Sequence, residues 1–164
     1  MLILGLDPGL RNTGFGLVEA VGNRLRHVAD GVITTDDSLA VAVRLAALHT
    51  ALSGLLAEHR PDEAAVEETY VNRNPTSTLR LGQARGVVLL APALAGIPVA
   101  EYGAMAVKQS VVGYGHADKD QVAMMVRRLL PAAILKRADA ADALAVAICH
   151  AHHRATARAW VAAR

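Results

Sequence analysis

Four carboxylates stand at positions where they could do chemistry together. Asp7 ends an uncharged apolar run and precedes Pro8-Gly9, so it lies where a buried strand turns towards solvent. Glu67 ends a second apolar run, whereas Asp139 and Asp142 are three residues apart on one face of a helix. Converging carboxylates repel unless cations lie between them, and all-oxygen ligands favour Mg²⁺ or Mn²⁺ over Zn²⁺. Two such ions can clamp the attacking and leaving oxygens of a phosphodiester.

Each acid taken singly also has a structural interpretation. Asp7 can accept backbone N–H groups of its own turn, as Asx turns commonly do. Asp139 can cap its helix, with Asp142 three residues on as an acidic relative of a capping box. The case for a shared site therefore rests on whether the elements that carry the four acids meet.

Hydrophobic periodicity predicts the elements that must position these acids. Three strands joined by short turns predict an antiparallel meander, and the helix that follows predicts a fourth strand parallel to the first. Pro98 favours an edge position for the fifth strand. The strands are predicted over 1–6, 15–20, 25–34, 63–68 and 97–102, and the helices over about 39–60, 76–95, 105–112, 118–130 and 139–153.

The order of elements predicts an α/β fold with a ribonuclease H-like outline. A mixed five-stranded sheet would carry helices on both faces. The residues Asp36-Asp37-Ser38 are the candidate N-caps of the first long helix, and Pro92 is expected to kink the second or end it early. Residues 113–116, Gly-Tyr-Gly-His, are interpreted as a hinge rather than a phosphate loop.

Composition favours one domain spanning residues 1–164. The chain is 53% hydrophobic with 3% aromatic residues, and its formal net charge of +2 is only weak support for a polyanionic partner. A single cysteine, Cys149, excludes an intramolecular disulfide and fits a reducing compartment. Because the apolar run 86–100 is broken by Pro and Gly and no signal peptide is visible, we expect a soluble cytoplasmic protein with no membrane partner.

Six short motifs follow one another along the chain: Gly5-Leu6-Asp7-Pro8-Gly9, Ala65-Val66-Glu67, 81–86 (Leu-Gly-Gln-Ala-Arg-Gly), Val107-Lys108-Gln109, Val111-Val112-Gly113 and 138–145 (Ala-Asp-Ala-Ala-Asp-Ala-Leu-Ala). In this order, over residues 1 to about 153, they resemble the RuvC family of Holliday-junction resolvases. The resemblance implies an endonuclease that cuts four-way junction DNA by paired symmetric nicks in recombination and repair. Two nicks related by a two-fold axis in turn predict a homodimer. The resemblance also implies the branch-migration proteins RuvA and RuvB as partners.

The same resemblance assigns roles to individual residues. Asp7, Glu67, Asp139 and Asp142 are implied as catalytic residues and as ligands of two Mg²⁺ ions, with Mn²⁺ possible. Lys108 and Lys119 match basic positions that contact DNA, and Lys119 is also implied in stabilising charge near the metals. Without the likeness, either lysine would be interpreted as a solvated helix residue.

Further residues near Glu67 are candidates for DNA contact. Tyr70 could stack on an unpaired base, because aromatic faces bind any splayed base, although a surface tyrosine is the alternative. Arg73 and Arg80 are also placed in the DNA-binding set. Departures from the family pattern include Glu68, Tyr70 in place of a frequent Phe, and Pro92 in a helix associated with dimerisation.

The group Cys149, His150, His152 and His153 has spacing that could suggest zinc. With no other cysteine in the chain, we instead expect a surface helix end, where histidines suit the negative end of the helix dipole.

Three other functions are alternatives to a resolvase: a junction-binding module, an actin-like ATPase and a ribonuclease H. A junction-binding module without catalysis would be expected to lack one of the acids, and all four are present. An actin-like ATPase shares a strand-Asp-x-Gly turn but needs more chain than 164 residues. A ribonuclease H acting on RNA–DNA hybrids uses the same acids, so cleavage of hybrids without cleavage of junctions would favour it.

Overall fold

Five strands form one mixed sheet in the computed structural model, which describes residues 1–68 and 74–162, with side chains described as far as Thr156. The sheet order is β3-β2-β1-β4-β5. The strands are β1 (Leu2–Asp7), β2 (Asn12–Val21), β3 (Arg24–Thr34), β4 (Glu63–Glu68) and β5 (Val99–Gly103). β1, β2 and β3 form an antiparallel meander, whereas β4 pairs in parallel with both β1 and β5. The predicted meander, the parallel fourth strand and the edge position of the fifth are confirmed.

Helices cover both faces of this sheet, as predicted. They are α1 (Val41–His59), α2 (Pro75–Leu94), α3 (Ala104–Val112), α4 (Lys119–Leu129) and α5 (Ala138–Ala162). Alternate residues of β1 point to opposite faces, since Leu4 packs with Leu48 of α1 and Val88 of α2, whereas Ile3 packs in the cluster that includes Ile148 of α5. The α/β fold with helices on both faces therefore follows from the two apolar faces of its central strand.

The start of α1 differs from the prediction. The helix begins at Val41 with Ala40 at the N-cap and no side-chain cap. The Asp36 carboxylate instead accepts a hydrogen bond from the Ser38 N–H at 2.9 Å, which forms a turn before the helix. The N-cap prediction for Asp36-Asp37-Ser38 is therefore wrong, because this carboxylate is used locally.

Only part of the predicted apolar face of α1 is buried. Leu48, Leu52 and Leu56 are buried against the sheet, whereas Leu39 and Val43 are 48% and 51% exposed. By length and composition alone, α1 could span a membrane, but core helices of soluble proteins pass the same test. Leu48, Leu52 and Leu56 pack in the same core cluster as Leu4 of β1 and Val88 of α2.

Pro92 does not end α2 early. The helix is capped by the Asn74 side chain, and Pro92 lies in the last turn before the helix ends at Leu94. Proline is tolerated there because the chain leaves the helix almost at once.

The long helix α5 lies directly on glycines of β1 and β2. A Cβ added at Gly5 would collide with the backbone of Ala143 and Ala147, and one added at Gly14 would collide with the backbone of Asp139. The absence of side chains at these positions lets the helix backbone approach the sheet closely. This contact places the first turns of α5, with Asp139 and Asp142, beside the end of β1.

We expect Gly5→Ala to destabilise the protein by about 1–3 kcal/mol, because the added methyl group must push α5 away from β1. The matched control is Gly54→Ala on α1, where nothing lies within 4 Å of an added Cβ. This control should leave stability unchanged or raise it by about 0.5–1 kcal/mol. Urea unfolding measures both variants, and an equal effect of the two would contradict the close packing of α5.

Candidate active site

Asp7 and Glu67 lie side by side at the carboxyl ends of neighbouring parallel strands. The register pairs Leu6 of β1 with Val66 of β4, so the next residue on each strand is an acid. Both carboxylates line a cavity of about 230 Å³, together with Asp142 of α5 and the lysines Lys108 and Lys119. Clefts at the carboxyl ends of parallel strands are where α/β sheets place ligands.

Burial, followed by the negative charges of Glu67, Asp142 and Asp139, raises the pKa of Asp7 to about 8 against the opposing charge of Lys119. The pKa of Glu67 is also raised, first by burial and then by Asp142. The protein without metal therefore favours a protonated Asp7 carboxyl group near neutral pH.

Each acid of α5 is paired with a cation. Lys119 Nζ lies 3.0 Å from Asp142 Oδ2, and Arg137 Nη2 lies 3.5 Å from Asp139 Oδ2. The pKa of Lys119 is raised, first by its hydrogen bond to Asp142. Sequence reasoning missed Arg137, for which the only signal was its position two residues before Asp139.

The structural alternatives for Asp7 and Asp139 do not match the geometry. Among the described residues, no backbone N–H donates to the Asp7 carboxylate, and Thr13 instead holds the turn by donating its hydroxyl to the Gly9 carbonyl at 2.6 Å. The helix α5 begins at Ala138, so Asp139 lies inside its first turn and is not its N-cap. Asp139 does not line the 230 Å³ cavity, although its charge raises the pKa of Asp7.

The donor set of this site fits a hard divalent cation. The available ligands are carboxylate oxygens, and the raised pKa values of Asp7 and Glu67, caused first by burial and then by neighbouring acids, show that a nearby cation would favour their ionised forms. Within residues 1–68 and 74–162, no three His, Cys, Asp or Glu side chains form a preformed metal site. The α5 acids turn towards Lys119 and Arg137 instead, so metal binding requires these carboxylates to change partner.

The predicted DNA-contact residues are distributed unevenly around the cavity. Lys108 of α3 lines it, and its charge lowers the pKa of Glu67. Arg80 is exposed in the first turns of α2, outside the cavity lining. Tyr70 and Arg73 lie outside the described residues. The roles of these residues in DNA binding remain predictions.

The predicted surface position of Cys149 and His150 is wrong. Both side chains are buried. His150 Nε2 lies 2.6 Å from Glu63 Oε2, and its Nδ1 lies 2.9 Å from the Tyr102 hydroxyl. This network ties α5 to the start of β4 and to β5, and its residues do not line the active-site cavity.

A mixed five-stranded sheet that gathers carboxylates at the ends of its central parallel strands defines the ribonuclease H-like class of proteins. Comparison of the chain with known protein families identifies one family within this class. The model of the family described as crossover junction endodeoxyribonuclease RuvC matches residues 3–150.

Relatives and solved structures match nearly the whole chain. A crossover junction endodeoxyribonuclease RuvC from Granulibacter bethesdensis is 71% identical and covers 96% of this chain and 89% of the relative. Another from Acidiphilium cryptum is 74% identical, with 94% and 93% covered. The structure of T. thermophilus RuvC in complex with a Holliday junction substrate is 37% identical, covers 96% of each chain and has a TM-score of 0.87. The chain belongs to the RuvC family of crossover junction endodeoxyribonucleases.

We expect Asp7→Asn to be more stable than the wild type at pH 8 in the absence of metal. The gain in stability should be smaller at pH 5.5. An acid whose folded pKa exceeds its unfolded value loses its contribution to stability as pH rises through the folded pKa, here about 8 against 3.8. Asparagine cannot ionise, so it places no buried negative charge beside Glu67. Thermal unfolding in EDTA at the two pH values measures this, and a variant less stable at both would show that Asp7 is a structural turn residue.

Proposed function

We propose that this chain resolves Holliday junctions by paired, symmetric nicks during homologous recombination and DNA repair. The products are 5′-phosphate and 3′-hydroxyl ends. The observation that carries the proposal is the meeting of Asp7, Glu67 and Asp142 around one cavity, with Asp139 close enough to raise the pKa of Asp7. The four acids come from three separate elements, and such convergence suits metal-dependent phosphodiester hydrolysis.

Two Mg²⁺ ions, or Mn²⁺, are proposed as the cofactors. Asp7, Glu67 and Asp142 would hold them, with Asp139 completing the ligands. When bound, such ions make a nucleophile from water at neutral pH and stabilise the leaving 3′ oxygen. The apolar lining by Val107, Val122, Ala104 and Ala145 limits water access and strengthens each charge interaction there.

The lysines of the cavity have separate proposed roles. Lys119 reaches Asp142 from the first turn of α4, and the Asp118 capping box fixes the start of that helix. Its ammonium can stabilise negative charge that develops on the phosphate. Lys108 lies on α3 with no resolved carboxylate partner among the described ion pairs, so it is free to neutralise a phosphate of the junction. Tyr70, Arg73 and Arg80 are proposed as further DNA contacts.

We expect the wild-type protein to nick a synthetic four-way junction with Mg²⁺ or Mn²⁺ and to leave linear duplex intact. EDTA should stop the cutting because the carboxylates alone supply no nucleophile. Asp7→Asn should reduce cutting below detection while junction binding persists. The matched control is Asp37→Asn, which alters an exposed aspartate that lies 3.6 Å from Arg11, and it should cut normally.

An RNA–DNA hybrid in the same assay separates the resolvase from a ribonuclease H. Cleavage of the hybrid without the junction would contradict the proposed function. Tight junction binding without cutting under either metal would assign the chain to the non-catalytic binding class.

A homodimer is proposed because two nicks related by a two-fold axis need two sites related in the same way. The helix α2 carries an apolar stripe with exposed residues at three- and four-residue spacing: Leu79, Gly82, Gly86, Leu90 and Leu94. Nothing lies within 4 Å of a Cβ added at either glycine of this stripe. A helix-interior glycine costs about 0.5–1 kcal/mol relative to alanine, but it allows a second helix to approach closely. The α2 stripe of a second copy is the occupant that this symmetry favours.

We expect Leu90→Asp to convert the dimer into a monomer of 17.2 kDa, because a carboxylate would be buried in the contact. Val21→Asp is the control, since Val21 is 62% exposed on the β2–β3 hairpin, away from α2. Size-exclusion chromatography with light scattering measures both masses. A Leu90→Asp protein that stays dimeric would place the interface elsewhere.

RuvA and RuvB are proposed as partners of the junction-bound dimer, and the bacterial cytoplasm as its location. Residues 1–164 are proposed to form one resolvase domain. Co-elution of the chain with a RuvA–RuvB–junction complex, and its failure to co-elute without the junction, is the expected result.

A further inference from the structure

We propose that Arg137 is a positioning residue with two alternative partners. In the metal-free protein it pairs with Asp139. When a metal ion binds Asp139, the Arg137 guanidinium instead contacts a phosphate of the substrate. The inference rests on the proposed function and extends it to a residue outside the predicted site. Its consequence is a coupling: metal binding releases a guanidinium to DNA, and DNA that captures the guanidinium frees a metal ligand.

The arrangement of the α5 acids carries the first step. Lys119 pairs with Asp142 at 3.0 Å, and Arg137 pairs with Asp139 at 3.5 Å, so each carboxylate has its own internal cation. These cations reduce the repulsion among four acids before metal arrives. Arg137 is therefore the internal cation that pairs with Asp139, just as Lys119 is the one that pairs with Asp142.

The surroundings of Arg137 carry the second step. Its side chain is 50% exposed while that of Asp139 is 35% exposed, so the guanidinium reaches solvent from the ion pair. Arg137 also lines a surface cleft of about 380 Å³ with Lys136, between the segment before α5 and β3. The cleft is also lined by His27 and Asp30, which pair with each other, so its acid already has a partner beside Lys136 and Arg137. The guanidinium thus lies between an active-site carboxylate and an open cleft, where a DNA backbone can reach it.

The chemistry of arginine makes the exchange feasible. A guanidinium presents the same planar fork of donors to a carboxylate and to a phosphate, so the partner can change without loss of hydrogen-bond geometry. A partly exposed ion pair is weak, so a divalent cation can displace it. A strong buried pair would instead block the metal.

The test compares wild type with Arg137→Gln and with Lys136→Gln, which removes one positive charge from the neighbouring residue of the same cleft. Isothermal titration of the DNA-free protein with Mn²⁺ gives the metal affinity. Arg137→Gln should bind Mn²⁺ about two- to fivefold more tightly than wild type, because Asp139 no longer has a competing partner. Lys136→Gln should change the affinity by less than half as much, through long-range charge alone.

Junction binding tests the second half of the exchange. Fluorescence anisotropy is measured in EDTA and with Ca²⁺ in place of Mg²⁺ so that cutting is slow. Arg137→Gln should weaken junction binding more with Ca²⁺ than in EDTA, because only metal releases the wild-type guanidinium to the phosphate. The loss for Lys136→Gln should be the same in both conditions.

Equal metal affinities for the two variants, or a loss of junction binding in Arg137→Gln that is the same with and without metal, would overturn the inference. Such results beside a wild type that cuts junctions would leave the proposed function intact. A wild type that does not cut would overturn the proposed function, and the Mn²⁺ titration would still report on Arg137.

Discussion

The site depends on the direct contact between α5 and the glycines of β1 and β2. Gly5, Gly14 and Gly16 leave no side chain between the sheet and the helix, so the backbone of α5 lies on the strands. Because Asp7 ends β1 and Asp142 lies in the second turn of α5, this contact brings acids far apart in sequence to one cavity. Any residue larger than glycine would move the helix and its carboxylates together.

Electrostatics at this contact works against stability. Burial and mutual repulsion raise the pKa values of Asp7 and Glu67, so ionising these acids in the folded, metal-free protein costs stability. The cations Lys119 and Arg137 offset part of this repulsion. Sites that keep unfavourable charge together for function commonly reduce stability in this way. A bound divalent cation would favour the ionised carboxylates that burial disfavours in its absence.

Much of the architecture could be predicted from local patterns. Periodicity and chain order predicted the meander, the parallel β4 and the acids at strand ends, since these follow from alternation and crossover rules. The pairing of Arg137 with Asp139 could not, because adjacency in sequence does not specify which side chains meet. The burial of His150 was missed because its partner Glu63 lies 87 residues away. The N-cap of α1 was missed because the Asp36 carboxylate is used by Ser38 in a preceding turn.

Manganese anomalous scattering from crystals of the wild-type protein tests the central claim most directly. An ion is expected within about 2.0–2.3 Å of carboxylate oxygens of Asp7 and of at least one α5 acid, because the glycine contact brings the two elements within reach of one cation. Asp142 is expected to have left Lys119. Manganese bound elsewhere, with no ion shared between β1 and α5, would contradict the claim that the contact of α5 with the glycines of β1 and β2 forms a metal site.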